Sequence, residues 1–102
     1  MVLHNILQWL IEEETIKFIG ILDRNSLMSF WKERDILLEG KKCFDLSRLE
    51  RLDSAGLAML VYLQHSSYPR IAVAGVNQHV KMLIELYNLH DILITESTSV
   101  MS

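Results

Sequence analysis

Two apolar runs, separated by an acidic triplet, open the pattern of hydrophobic and polar positions. Residues 6–11 and 15–22 are rich in β-branched and aromatic side chains, and Glu12, Glu13 and Glu14 lie between them. Such runs joined by a short polar segment predict a β-hairpin with the acidic triplet at its solvated turn. The second run is the longer, and we expect it to be the more central strand.

A helix follows the hairpin. Apolar residues recur at near-helical spacing over residues 27–38, and Gly40 suits the position just after a helix. Of the adjacent aromatic residues Phe30 and Trp31, we expect one in the core and the other partly exposed. Residues 42–46 then predict a third strand, followed by a loop whose leucines, Leu49 and Leu52, tuck into the core.

The central helix, residues 54–66, is apolar all round from Leu57 to Leu63. A helix of that kind is either wholly buried or shows part of its apolar surface to a partner. Ser54 suits the N-cap, where its hydroxyl would accept from a free N–H of the first turn. Gly56 would let another backbone or a partner approach that turn closely.

Helical geometry divides the central helix into two sides. The side expected to face the sheet carries Leu57, Leu60, Leu63 and Gln64. The side expected to face outward carries Ala58, Tyr62 and His65, with Met59 partly open. Because tyrosine and methionine are enriched at interfaces and these residues adjoin Ser54, we predict a docking face here. The alternative is an ordinary surface with one exposed tyrosine.

A short strand and a last helix complete the pattern. Residues 71–74 predict a buried strand, and Asn77 suits the N-cap of a helix whose apolar positions are Val80, Leu83, Ile84 and Tyr87. Asn88 and Leu89 suit its end, residues 91–94 a short strand or coil, and residues 95–102 a polar, frayed tail. The order β-β-α-β-α-β-α predicts one α/β domain over residues 1–102, with a mixed sheet of four to five strands.

Composition excludes several classes of protein. The 102 residues are half apolar with a net charge of −3, and no cluster of lysines and arginines suggests a nucleic-acid partner. The single cysteine, Cys43, is expected to be a small core residue, so the chain has no internal disulfide and suits the reducing cytoplasm. No apolar run reaches the length of a spanning helix, so any membrane association is expected to run through a partner.

Catalytic and metal-binding patterns are missing from the sequence. His4, His65, His79 and His90 form no metal-ligand spacing, and Ser54 lacks the Gly-x-Ser-x-Gly elbow. No glycine-rich phosphate loop occurs either. Asp45 and Asp53 are open to two interpretations: paired carboxylates for acid–base chemistry, or a strand end and a helix start. The residues favour a non-enzyme without a cofactor.

The run around the central helix resembles a known signature. Asp45-Leu46-Ser47, followed at this spacing by Asp53-Ser54-Ala55-Gly56-Leu57, is similar to the signature of STAS domains, and the resemblance extends over about residues 6–93. Two further stretches resemble the small STAS subunits of Mla phospholipid-transport ABC complexes. They are Gly20-Ile21-Leu22-Asp23 leading into Phe30-Trp31, and Leu86-Tyr87-Asn88-Leu89.

This resemblance implies the STAS fold and a non-catalytic cytoplasmic subunit, peripheral to the inner membrane. Such a subunit binds the transporter's ATPase subunit, within a complex that also holds permease and lipid-binding subunits, and supports outer-membrane lipid asymmetry. The resemblance and the predicted outward face of the helix together give the residues expected to bind the partner. They are Asp53, Ser54, Ala55, Gly56, Ala58, Met59 and Tyr62. The alternative is an anti-sigma-factor antagonist regulated by phosphorylation of Ser54.

Overall fold

The computed structural model of the protein describes residues 6–87. Its elements are β1 (Leu7–Glu12), β2 (Thr15–Leu22), α1 (Leu27–Trp31), α2 (Arg34–Leu37), β3 (Cys43–Leu52), α3 (Ser54–Ser66), β4 (Ala72–Ala74) and α4 (Gln78–Leu86). The predicted order is confirmed, except that the first helix is divided in two. The predictions for Asn88, Leu89, residues 91–94 and the tail fall outside the described residues.

The strands form one mixed sheet in the order β1-β2-β3-β4. β1 and β2 are an antiparallel hairpin, whereas β2 with β3 and β3 with β4 are parallel, as predicted for strands joined through helices. The acidic turn is exposed, and its charges are partly offset by lysines. Lys17 Nζ lies 3.6 Å from Glu12 Oε1, and Lys42 Nζ lies 3.5 Å from Glu14 Oε2.

Aromatic rings fill the centre of the core. The ring of Phe18 lies 4.9 Å from that of Phe30 and 5.5 Å from that of Phe44, and Trp9 meets Phe30 edge-on at 5.1 Å. These separations are within the range of favourable ring pairs. Phe30 is fully buried and Trp31 is half-buried, which confirms the expectation that the two adjacent aromatics divide between core and surface.

The first predicted helix breaks at Lys32 and Glu33. The amide of Glu33 donates to Phe30 O, three residues back, so the turn tightens before α2 begins. The carbonyl of Trp31 instead accepts from Arg34 Nη1 at 2.8 Å. This side-chain bond replaces the backbone bond that would have continued the helix.

β3 continues to Leu52, where a loop was expected after Leu46. Leu49 and Leu52 are buried, as predicted, but they reach the core from a strand. Leucines three residues apart do not match the two-residue period of a strand. The pairing of β2 with β3 absorbs the mismatch through register shifts between Lys17 and Ile19 and between Gly20 and Ile21.

Cys43 is half-buried, so its predicted place in the core is wrong. Successive residues of a strand point to opposite faces of the sheet. Phe44 takes the covered face and is fully buried, so Cys43 lies on the other face.

α4 begins at the predicted N-cap, since the Asn77 side chain accepts from the amide of Val80 at 2.9 Å. Val80 and Ile84 are buried in the apolar core cluster, as their spacing predicted. Tyr87 departs from the prediction: it lies one residue beyond the helix and is exposed.

α3 is the longest of the described helices, with 13 residues. Its predicted inward side is confirmed, since Leu57, Leu60, Leu63 and Gln64 are all buried. The amide of Gln64 donates to Ile71 O at 2.7 Å, which satisfies the one polar group on this side. Within residues 6–87, no helix combines the length and apolar character needed to cross a bilayer.

Candidate docking surface

Asp53, rather than Ser54, is the N-cap of α3. Its backbone is extended, and its Oδ1 accepts from the amide of Gly56 at 2.8 Å. Its Oδ2 accepts from the amide of Arg24 at 3.1 Å, which ties the loop after β2 to the head of the helix. A carboxylate also interacts favourably with the positive end of a helix. The predicted cap at Ser54 is therefore wrong by one residue.

The two carboxylates considered for acid–base chemistry have separate structural roles. Asp53 is occupied by the two amides of Gly56 and Arg24. Asp45 Oδ1 accepts from the amide of Ser47 at 2.9 Å, just where β3 passes the end of β4. These local bonds favour the interpretation of a strand residue and a helix start.

Gly56 is buried, and the backbone that approaches it belongs to the chain itself. A Cβ added at Gly56 would lie 2.5 Å from Leu22 O and 2.9 Å from a side-chain carbon of Leu22. Glycine is thus required so that α3 can pack on the end of β2. Gly56 was expected to allow the close approach either of another backbone or of a partner. The structure confirms an approach by backbone, and Gly56 itself lies beneath the surface.

One stripe of α3 faces outward. The residues Ser54, Ala58, Tyr62 and Ser66, here called the α3 stripe, recur every four residues and are all exposed. Ala55 and His65 border the stripe and are half-buried. The predicted exposure of Ala58 and Tyr62 is confirmed, and Tyr62 keeps 58% of its surface open.

Met59 lies in the core, with 5% of its surface exposed, so its predicted outward position is wrong. It is adjacent to Ala58 on the helix but belongs to the same apolar cluster as Leu60 and Leu63. A methionine fills irregular gaps well, because its side chain is long and unbranched. Because apolar residues lie all round the helix, the polarity of its side chains did not indicate which of them would be buried.

Trp31 and Arg34 complete the surface beside the stripe. The ring of Trp31 lies 5.6 Å from that of Tyr62, and the guanidinium carbon of Arg34 lies 3.8 Å above the Trp31 ring. Cation–π and ring contacts of this kind hold large side chains in fixed positions. The contact between Arg34 and Trp31 was not predicted from the sequence. Their spacing of three residues is the signal that could have indicated it.

The described residues contain no cluster that resembles a metal site. Between residues 6 and 87, no group of three or more His, Cys, Asp and Glu side chains is placed to hold a metal ion. His79 Nε2 lies 3.4 Å from Leu52 O, which gives this histidine a local contact. Around Ser54 the structure shows a capped helix, small exposed residues and an aromatic pair, an arrangement suited to docking.

Comparison with known proteins identifies the family. Residues 7–95 match the family described as "Mlab, STAS domain". The chain is 36% identical over 86 residues to the protein named "Intermembrane phospholipid transport system binding protein MlaB" of Escherichia coli (strain K12), covering 81% of this chain and 89% of that one. The protein of the same name from Shigella flexneri matches to the same extent.

Among solved structures, the fold resembles that of the anti-sigma factor antagonist SpoIIAA in its unphosphorylated form. The TM-score is 0.56 at 14% sequence identity, covering 78% of this chain and 82% of that one. This likeness concerns the fold alone, and it agrees with the mixed sheet and helices described above. Three findings agree: the match over residues 7–95, the identity to both MlaB proteins and the shared fold. The chain therefore belongs to the STAS-domain family, in the group that carries the description "Mlab, STAS domain".

Proposed function

We propose that this chain is a non-catalytic STAS subunit of an Mla-type ABC transporter and binds the ATPase subunit (MlaF-like) of that complex. Its part is to support assembly and activity of the transporter in phospholipid transport and outer-membrane lipid asymmetry. The observation that carries the proposal is the 36% identity to two proteins named for intermembrane phospholipid transport, across most of both chains. The chain would reach the inner membrane only through the complex.

The α3 stripe supports docking on the ATPase subunit. Ser54 and Ala58 are small and exposed, so a partner helix could approach this part of α3 closely. Tyr62 and Trp31 then offer a large aromatic surface that is already held in place by their mutual contact. Preformed aromatic surfaces of this kind dominate the binding energy of many interfaces, because little conformational freedom is lost on binding.

Purification of the tagged chain from its own cells tests the proposal. We expect an ABC ATPase to be recovered together with permease and lipid-binding subunits, and we expect no ATP turnover from the chain alone. Genes for these same subunits beside the gene for this chain would agree. Recovery of a serine kinase without an ATPase would contradict the proposal.

The second candidate is an anti-sigma-factor antagonist controlled by phosphorylation. The observation that favours it is the exposed Ser54 at the start of α3, where a kinase could reach the hydroxyl. A phosphate there would face the positive end of the helix, so the domain could accept it. Mass spectrometry of the purified chain for a phosphate on Ser54, together with the identity of the bound proteins, separates the two candidates.

A further inference from the structure

A groove lies at the carboxyl end of the α3 stripe, between α3 and α2. Its volume is about 460 Å³, and its lining includes Arg34, Asp35, Glu39, Tyr62, Ser66 and Ser67. Ser66 is twelve residues from Ser54, which corresponds to about 18 Å along a helix. The groove is therefore the far end of the same surface that begins at the head of α3.

The groove offers hydrogen-bond acceptors. Asp35 and Glu39 are exposed, and neither carboxylate has an ion-pair partner among residues 6–87. The hydroxyls of Ser66 and Ser67 both donate to Leu63 O, at 3.3 Å and 2.9 Å. Because their hydrogens are used within the helix end, these hydroxyls present only lone pairs to the groove.

The one cation in the lining is already engaged. The guanidinium of Arg34 lies over the Trp31 ring at 3.8 Å, and its Nη1 donates to Trp31 O at 2.8 Å. Arg34 therefore forms one wall of the groove, and its guanidinium is held against Trp31. Two carboxylates against this single cation leave the lining with a net negative charge.

The end of α3 adds to this negative potential. The last carbonyl groups of a helix carry its negative partial charge, which favours a cation near the final turn. The exposed ring of Tyr62 adds a face on which a guanidinium or ammonium group can lie. The carboxylates, the helix end and the ring all favour the same kind of ligand.

We infer that this groove receives a basic side chain, arginine or lysine, of the ATPase subunit, which lies along the α3 stripe from Ser54 to Ser66. The inference rests on the proposed function and adds the chemistry of the partner to it. Small residues at one end of the stripe allow close contact, and the acidic groove at the other end fixes the direction and register of the partner. Charge complementarity of this sort contributes to specificity and to the rate of association.

Neutral and reversed charges in the groove test the inference. The probe is the purified ATPase subunit encoded in the same genome, and its affinity for each variant is measured at low and high salt. We expect Asp35→Asn with Glu39→Gln to weaken binding about fivefold, and Asp35→Lys with Glu39→Lys about a hundredfold. The affinity of the neutral variant should also depend less on salt than that of the wild type, because fewer charges are screened.

The matched controls are Glu13→Gln with Glu85→Gln and Glu13→Lys with Glu85→Lys, which change the net charge equally at exposed sites outside the groove. These controls should bind as the wild type does. The neutral groove variant could bind as well as the wild type or more tightly while Ser54→Arg does not bind. That result would contradict a basic side chain in the groove and leave the proposed docking function standing. If the wild type itself does not bind the ATPase subunit, both proposals fail.

Discussion

The helices α3 and α4 begin in the same way but differ in how their outer faces are composed. In each, a side-chain oxygen accepts from the amide three residues on: Asp53 from Gly56 at 2.8 Å and Asn77 from Val80 at 2.9 Å. The outer face of α4 mixes Met82 and Leu86 with charged residues, whereas α3 contains no Asp, Glu, Lys or Arg.

This difference shows what polarity can and cannot reveal about a surface. In α4, charged residues mark the side that faces water, as they do in most surface helices. In α3, the exposed side is built of two serines, an alanine and a tyrosine, and none of them is charged. We propose that a partner covers this uncharged side of α3.

The largest expected effect concerns the buried side of α3. Leu60→Ala should lower the free energy of unfolding by about 2–5 kcal/mol, because it leaves a cavity among fully buried neighbours. Met82→Ala on the exposed side of α4 should change it by less than about 0.5 kcal/mol. Urea unfolding of both variants measures the contrast. Equal stability of the two variants would mean that the orientation of α3 is wrong.

Tyr62→Ala should have its main effect on binding. As an aromatic anchor at an interface, Tyr62 is expected to contribute about 2 kcal/mol to the affinity for the ATPase subunit, or roughly 30-fold. Its loss of stability should be about 1 kcal/mol or less, from the contact with Trp31. Tyr87→Ala, which removes an exposed tyrosine beyond α4, is the control and should bind normally.

Binding and thermal unfolding of the two tyrosine variants are measured on the same preparations. If Tyr62→Ala unfolds the domain while Ser54→Ala does not, Tyr62 is a core residue. If both tyrosine variants bind as the wild type does, the α3 stripe is not the docking surface.

Substitution of the two N-cap residues should have a smaller effect on stability. The two losses compare the starts of α3 and α4 directly. Asn77→Ala should reduce stability by about 1 kcal/mol, and Asp53→Ala by up to about 2 kcal/mol, since Asp53 also holds the amide of Arg24. Ser54→Ala should change stability by less than about 0.5 kcal/mol, because Ser54 is exposed and caps nothing. Thermal or urea unfolding measures all of these. A larger loss at Ser54 than at Asp53 would restore Ser54 as the cap.

Much of the fold could be predicted from the sequence. The hairpin and the parallel strands are marked by apolar runs, and the buried side of α4 is marked by periodic apolar positions and by Asn77. The length of β3 could not be predicted, because Leu46, Leu49 and Leu52 do not follow a strand period, and only the register shifts against β2 accommodate them.

The positions of the candidate site residues could be predicted only in part. The signature from Asp53 to Leu57 located the head of α3, and helical spacing placed Ala58 and Tyr62 outward. The cap was misplaced because serine and aspartate are both good N-caps, and the additional bond that Asp53 accepts from the amide of Arg24 comes from a residue distant in sequence. The burial of Met59 depends on packing against other elements, which the sequence of α3 does not reveal, whereas the contact of Arg34 with Trp31 could have been inferred from their spacing of three residues.

Substitutions at Ser54 test whether the exposed stripe of α3 docks on the ATPase subunit. Variants with Thr, Ala, Asp and Arg at this position are compared by circular dichroism and by recovery of the ATPase subunit. All four should fold, because the side chain is exposed and the first turn of a helix accepts a carboxylate. Docking, in contrast, would desolvate an added charge.

If the α3 stripe is the docking surface, the folded variants should form a graded series. Ser54→Thr should bind almost normally and Ser54→Ala slightly less well, while Ser54→Asp and Ser54→Arg should lose the ATPase subunit. Full recovery of the ATPase subunit by folded Ser54→Arg would contradict the account and place the interface elsewhere on the domain.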